Sequence, residues 1–152
     1  KLAMTAAAVT SVAVVSGKVT ADSLRTPWYA TLRRPPWQPP AKAFGPVWTT
    51  LYCLMAWSGA IVFSKDSDEA RQAGRLWGVQ LALNFLWSLL FFGKRWLGGS
   101  VACIALLWAS ILAYIATARR VSGLASALFV PYAAWVSFAA GINLWVWRHN
   151  RR

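Results

Sequence analysis

The chain has 152 residues, room for one domain, and 58% of them are hydrophobic against 13% charged, with mean hydropathy +0.45. Soluble domains carry about 25% charged residues, and here the apolar residues fall in long runs, which excludes a soluble globular fold and predicts an integral membrane protein. The net charge of +12 does not point to nucleic acid, because the cations sit in short connections and at the C-terminus rather than along one helical face.

Residues 2–19, apolar but rich in Ala, Ser and Thr, form the first predicted span, with Lys18 placed to snorkel from its end. A signal peptide is the alternative reading, since a leading charge, a modest apolar run and small residues suit one equally. Residues 20–43 make a basic loop, expected in the cytoplasm. Within it Pro35, Pro36, Pro39 and Pro40 each fix φ and remove a backbone donor, so residues 32–41 are predicted to be extended or turn-rich. Trp37 lies between the prolines, with Arg33, Arg34 and Lys42 around it. An aromatic plane and cations on one stiff loop suit a flat, anionic, largely apolar ligand; the same residues also suit plain anchoring at the headgroup level.

Phe44–Phe63 offers twenty uncharged residues, enough to cross a hydrocarbon core of about 30 Å at about 1.5 Å per residue. The connection Ser64–Arg75 holds three of the four acids, and Asp66, Asp68 and Glu69 fit a helix N-terminus better than a metal site. The third span is expected over 76–92, where Trp77, Gln80, Asn84 and Trp87 share one face. In hydrocarbon Gln80 and Asn84 must find partners, either across helices or in a polar pocket. Gly78 and Ala82 lie about half a turn from that face and suggest close packing between helices or protomers. The fourth span, 96–118, carries a stripe of Ala105, Ala109 and Ala113 that reads as packing. The fifth, 124–147, is interrupted by Pro131, which is expected to kink it and re-aim Trp135, with Ala139 and Asn143 continuing that face.

Cys53 and Cys103 lie in different spans and read as small buried residues, and the single histidine, His149, sits in the polar tail, so no metal site is expected in the membrane. Five spans put the termini on opposite sides. Lys1, Lys65, Arg71, Arg75, Arg119 and Arg120 fall on one side; Arg25, Arg33, Arg34, Lys42, Lys94, Arg95, Arg148, Arg151 and Arg152 fall on the other. The positive-inside rule then directs the proline–tryptophan loop and the C-terminus to the cytoplasm. The Ala-, Arg- and Trp-rich composition suggests a bacterial inner membrane, with a mitochondrial outer membrane as the alternative.

The assembled residues resemble the translocator protein family, also called tryptophan-rich sensory proteins or peripheral benzodiazepine receptors. The matching pieces are Trp28-Tyr29 with Leu32, Pro35, Trp37 and Pro39-Pro40; Pro46 with Trp48 and Leu51-Tyr52; Gln80-Leu81 through Asn84, Trp87 and Phe91-Phe92; and Pro131-Tyr132, Trp135, Ala139 and Asn143. The resemblance implies a five-transmembrane-helix bundle, an all-α fold, commonly a homodimer. It implies binding of porphyrins such as protoporphyrin and, in some members, of cholesterol and benzodiazepine-type ligands, in a pocket beneath the first long loop. Carried over by motif, the wall includes Tyr29, Trp37, Trp48, Asn84, Trp87, Trp135 and Ala139; light-dependent porphyrin breakdown in bacterial members implicates Trp48 and Trp135 as tentative catalytic residues. The C-terminal helix reads Asn143-Leu144-Trp145-Val146-Trp147-Arg148, with Trp145 where the sterol-linked pattern of animal members has tyrosine, so cholesterol transport is not carried over.

The residues weigh on the same question. None of the four spans between 44 and 147 holds an ionisable Asp, Glu, Lys, Arg or His, which counts against proton-coupled transport. A metal-free porphyrin asks for an apolar slot with aromatic faces, hydrogen bonds from Asn84 or Gln80, and cations such as Arg33, Arg34 or Lys42 for its propionates. No resident cofactor is expected, the porphyrin being the ligand. Three readings follow: a porphyrin-binding sensor or regulator of tetrapyrrole metabolism and stress, a light-dependent porphyrin-degrading enzyme, and a lipid or sterol carrier or membrane scaffold.

Overall fold

The computed structural model describes residues 1–150, and of Ala41 the backbone alone. Among the described residues it is all-helical: α1 (Leu2–Leu24), a short α2 (Pro27–Thr31), α3 (Phe44–Phe63), α4 (Asp68–Ser88), α5 (Leu97–Ala118), a short α6 (Gly123–Leu128) and α7 (Val130–His149). Five helical stretches are long and apolar enough to cross a membrane: α1, α3, α4 with its continuation to Gly93, α5, and α6 with α7.

Helix ends differ from the sequence expectation for local reasons. The first helix continues five residues past position 19, to Leu24, and Lys18 and Asp22 pair across one turn of this extension at 3.4 Å. The connection before α4 is shorter than expected. Ser67 caps α4 by accepting from the Ala70 N–H at 3.1 Å, and two of the three acids, Asp68 and Glu69, stand in the first turn of the helix. Asp66 and Asp68 both pair with Arg71. At its other end α4 widens into a π-helical turn, Leu89–Gly93, that carries Phe91 and Phe92 inward.

The fifth span is broken rather than kinked. Phe129 separates α6 from α7, and Pro131 stands in the first turn of α7, where a missing N–H leaves no helical bond unmade. Phe129 itself is fully buried against Tyr114, with ring centroids 4.2 Å apart.

The helices pack α1 on α3, α3 on α4 and α6, α4 on α5, and α5 on α7. Between α3 and α7 the contact is made by large rings: Trp48 meets Tyr132 and Trp135, each at 6.3 Å. Two expectations about packing are corrected, those for the alanine stripe of α5 and for Cys53, and for Gly78 with Ala82 only packing between helices of this chain is removed. Ala105, Ala109 and Ala113 face outward, because α5 turns Cys103, Ile104, Leu107, Ile111 and Tyr114 to the core instead. Gly78 and Ala82 are exposed on the outer face of α4, opposite Trp77, Gln80, Asn84 and Trp87, which are all buried. Cys53 is exposed on α3, while Cys103 is buried.

Candidate ligand-binding site

A cavity of about 330 Å³ lies at the end of the bundle beneath the proline-rich loop, within the size range of small-molecule sites. Its walls follow from helical spacing. Phe44, Trp48 and Tyr52 stand at i, i+4 and i+8 on α3; Trp135, Ala139, Ile142, Asn143 and Val146 form one face of α7; Trp87 and Phe91 come from α4 and its π-turn. The α1 wall is small and polar, with Ser16, Gly17 and Thr20. Tyr29 is turned inward by α2, a single turn begun by Pro27 and capped by Thr26, whose hydroxyl accepts from the Tyr29 N–H at 3.4 Å.

Trp48 is the centre of the aromatic wall. Its ring lies 5.6 Å from Tyr52, 6.5 Å from Trp87 and 6.3 Å from Trp135, the last at 90°. These separations are those of favourable edge-on and offset aromatic pairs. Trp135 keeps its Nε1–H buried without a hydrogen-bond partner among the described residues. At the rim, the Arg34 guanidinium sits 4.5 Å above the Tyr29 ring, and Gln38 Nε2 donates to the Tyr29 hydroxyl at 3.1 Å. Arg34 is the one charged side chain on the wall among the described residues.

Beneath the floor, polar side chains satisfy one another across four helices. Tyr52 donates to Asn84 Oδ1 at 3.1 Å, and Asn84 Nδ2 donates to the Tyr132 hydroxyl at 2.8 Å. Trp87 Nε1 donates to Asn143 Oδ1 at 2.8 Å, and Asn143 Nδ2 donates to Ser100 Oγ at 3.0 Å. Such pairs answer the demand that hydrocarbon places on every polar group.

Of the residues expected at the site, Tyr29, Arg34, Trp48, Trp87, Trp135 and Ala139 line this cavity, and five do not. Asn84 lies below the floor in the tyrosine network, and Gln80 is fully buried one turn further away, donating to the Trp77 carbonyl at 2.9 Å. Trp37 is half-exposed and rests on Phe138 of α7 at 5.7 Å, so it fastens the loop instead of lining the wall. The Arg33 and Lys42 side chains are exposed and off the wall. Asn143, expected on the Trp135–Ala139 face, also lines the cavity, whereas sequence reasoning missed Gln38, Phe44 and the α1 face. Ser16, Thr20 and Ser23, spaced i, i+4 and i+7, were the available signal for that face.

Comparison with known proteins agrees with this architecture. The TspO/MBR family matches residues 4–148. The chain is 39% identical over 125 residues to Protein CrtK of Rhodobacter capsulatus, covering 81% of this chain and 78% of that one. It is 39% identical over 127 residues to the Translocator protein of Sus scrofa, covering 82% and 75%. It is 36% identical over 151 residues to the Tryptophan-rich protein TspO of Archaeoglobus fulgidus, covering 99% and 97%. With five membrane-length apolar helices and a family match along almost its whole length, the chain is an integral membrane protein that belongs to the TspO/MBR family.

Proposed function

We propose that the protein is a membrane sensor or regulator that binds a protoporphyrin-type ligand in the cavity under the loop. One observation carries this reading: three tryptophan rings, those of Trp48, Trp87 and Trp135, stand on a largely apolar wall whose single charge among the described residues, Arg34, is at the rim. That division suits a flat apolar ring system with carboxylates at one edge. Of the usual haem ligands only tyrosines, Tyr29 and Tyr52, line the cavity among the described residues, and their hydroxyls are bonded to Gln38 and Asn84, which suits a metal-free ring better than haem. The test is quenching of tryptophan fluorescence by protoporphyrin in the dark, with the purified protein in detergent. Saturable quenching that weakens in Trp87→Ala and Trp135→Ala is expected; its absence would leave lipid or sterol carriage as the function to pursue.

A second reading, light-dependent breakdown of the bound ring, is favoured by the position of Trp48 against four other aromatic rings, Tyr52, Trp87, Tyr132 and Trp135. Under illumination the porphyrin absorbance would then fall faster than in protein-free detergent. Trp48→Phe separates the two readings, because it leaves an aromatic wall: binding is expected to persist while light-dependent loss slows.

In this reading the loop and the C-terminus face the cytoplasm of a bacterial inner membrane, supported by the excess of Arg and Lys on that side. The working form is a homodimer. Support comes from the outer face of α4, where Gly78 and Ala82 are exposed and a Cβ at Gly78 would meet nothing within 4 Å.

A further inference from the structure

Asn150, at the C-cap of α7, is absent from the cavity wall and remote in sequence from the loop that closes it, yet it holds that loop. Its side-chain amide makes three hydrogen bonds. Oδ1 accepts the Arg33 N–H at 3.0 Å, while Nδ2 donates both to the Arg33 carbonyl at 2.9 Å and to the Val146 carbonyl at 2.8 Å. Both backbone groups of one loop residue are therefore clasped by a single side chain, which is itself anchored to a carbonyl of the helix that lines the cavity. Asparagine suits the task because it presents an acceptor and two donors in one plane; aspartate keeps the acceptor and loses both donors.

The clasp fixes what flanks it. On one side Leu32 is buried and lines the cavity; on the other, Arg34 follows directly and is succeeded by Pro35, buried, and Pro36. Two prolines leave the chain little freedom to re-aim Arg34 once the Arg33 backbone is held. The result is the guanidinium 4.5 Å over Tyr29, whose hydroxyl is in turn bonded by Gln38 of the same loop.

We infer that Asn150 is a positioning residue for Arg34: by clasping the Arg33 backbone it sets that guanidinium at the cavity rim and makes the site selective for ligands that carry carboxylates. The inference rests on the ligand-binding reading of the cavity given above. It also assigns the two adjacent arginines different tasks, one through its backbone and one through its side chain.

The test compares protoporphyrin with its dimethyl ester, which has the same ring and no carboxylate. For Asn150→Ala the affinity for protoporphyrin is expected to fall about fivefold, in line with losing two neutral hydrogen bonds, with a flatter salt dependence, while the affinity for the ester changes less than about twofold. In an Arg34→Gln background the same Asn150→Ala change is expected to add nothing, since both act on one interaction. Equal losses for the two ligands, or additive losses in the double variant, would overturn the assignment by making Asn150 a general structural residue. Asn150→Leu, which keeps a branched side chain and removes every hydrogen-bonding group, is expected to behave as Asn150→Ala, which guards against a simple packing defect; a Leu variant that binds protoporphyrin as the unmodified protein does would overturn the assignment. Amide hydrogen exchange over residues 33–38 without ligand provides a readout independent of porphyrin: faster exchange in Asn150→Ala supports the clasp, and unchanged exchange refutes it. Failure of the unmodified protein to bind either porphyrin would refute the binding reading alone, leaving exchange to decide on the clasp.

Discussion

The two ends of the bundle are built from the same helices and solve the same problem in opposite ways. At the end away from the loop, α1, α3, α4, α5 and α6 close on one another through hydrogen bonds that cross between helices. Ser58 donates to the Ala125 carbonyl at 2.7 Å and pairs with the Tyr114 hydroxyl at 2.8 Å, Trp77 Nε1 donates to the Met55 carbonyl at 3.0 Å, and Thr5 Oγ1 to the Ala56 carbonyl at 2.8 Å. At the loop end α3 and α7 are held apart by Trp48 and Trp135, and the space between them remains a cavity. Glycines mark the contrast. A Cβ at Gly59 would come within 2.6 Å of the Trp77 ring, whereas at Gly17 and Gly45 it would meet nothing within 4 Å. Close approach with mutual polar satisfaction gives a rigid base; large rings with small α1 residues opposite them give a site.

Gly59→Leu should break this contrast most severely. With no room beside Trp77, the ring must move and its bond to Met55 is lost, costing about 3 kcal/mol, read as a lower unfolding temperature in detergent by circular dichroism. Gly17→Ala, on the open side, should change stability by less than about 1 kcal/mol, with the helix-propensity gain setting the sign. Ser58→Ala comes next. It leaves the Tyr114 hydroxyl without that partner and should cost about 1–3 kcal/mol of stability while ligand affinity, measured by fluorescence quenching, stays within about twofold. A large affinity loss there would mean that the base and the cavity are not energetically separate.

The smallest effect sharpens the comparison at the rim. Arg34→Gln should weaken protoporphyrin binding by about fivefold, the loss of a solvent-screened charge contact of roughly 1 kcal/mol, and flatten its salt dependence. Arg33→Gln should leave both nearly unchanged, since its side chain is exposed and its backbone clasp with Asn150 survives. Equal effects from the two arginines would return the loop to a general headgroup anchor.

What the amino-acid sequence determined by itself is the part of the structure that depends on local rules. Uncharged runs of membrane length, prolines in the 32–41 loop, the acids of the α4 N-terminus and the shared face of Trp77, Gln80, Asn84 and Trp87 all follow from hydropathy, dihedral limits and helical period. Tyr29, Trp48, Trp87, Trp135 and Ala139 were legible as a set only through the motifs that the chain shares with its family, not through these local rules. Tertiary structure alone decided which faces meet. In hydrocarbon both sides of a helix are apolar, so a stripe such as Ala105, Ala109 and Ala113 reads alike whether it touches a neighbouring helix or lipid, and it faces outward. Depth along a shared face is equally hidden: Asn84 and Trp87 are one turn apart, yet Trp87 lines the cavity and Asn84 lies in the network beneath it. The clasp of Asn150 on Arg33 joins residues 117 positions apart, and no period or propensity reports a contact made only when the two ends of the chain are brought together.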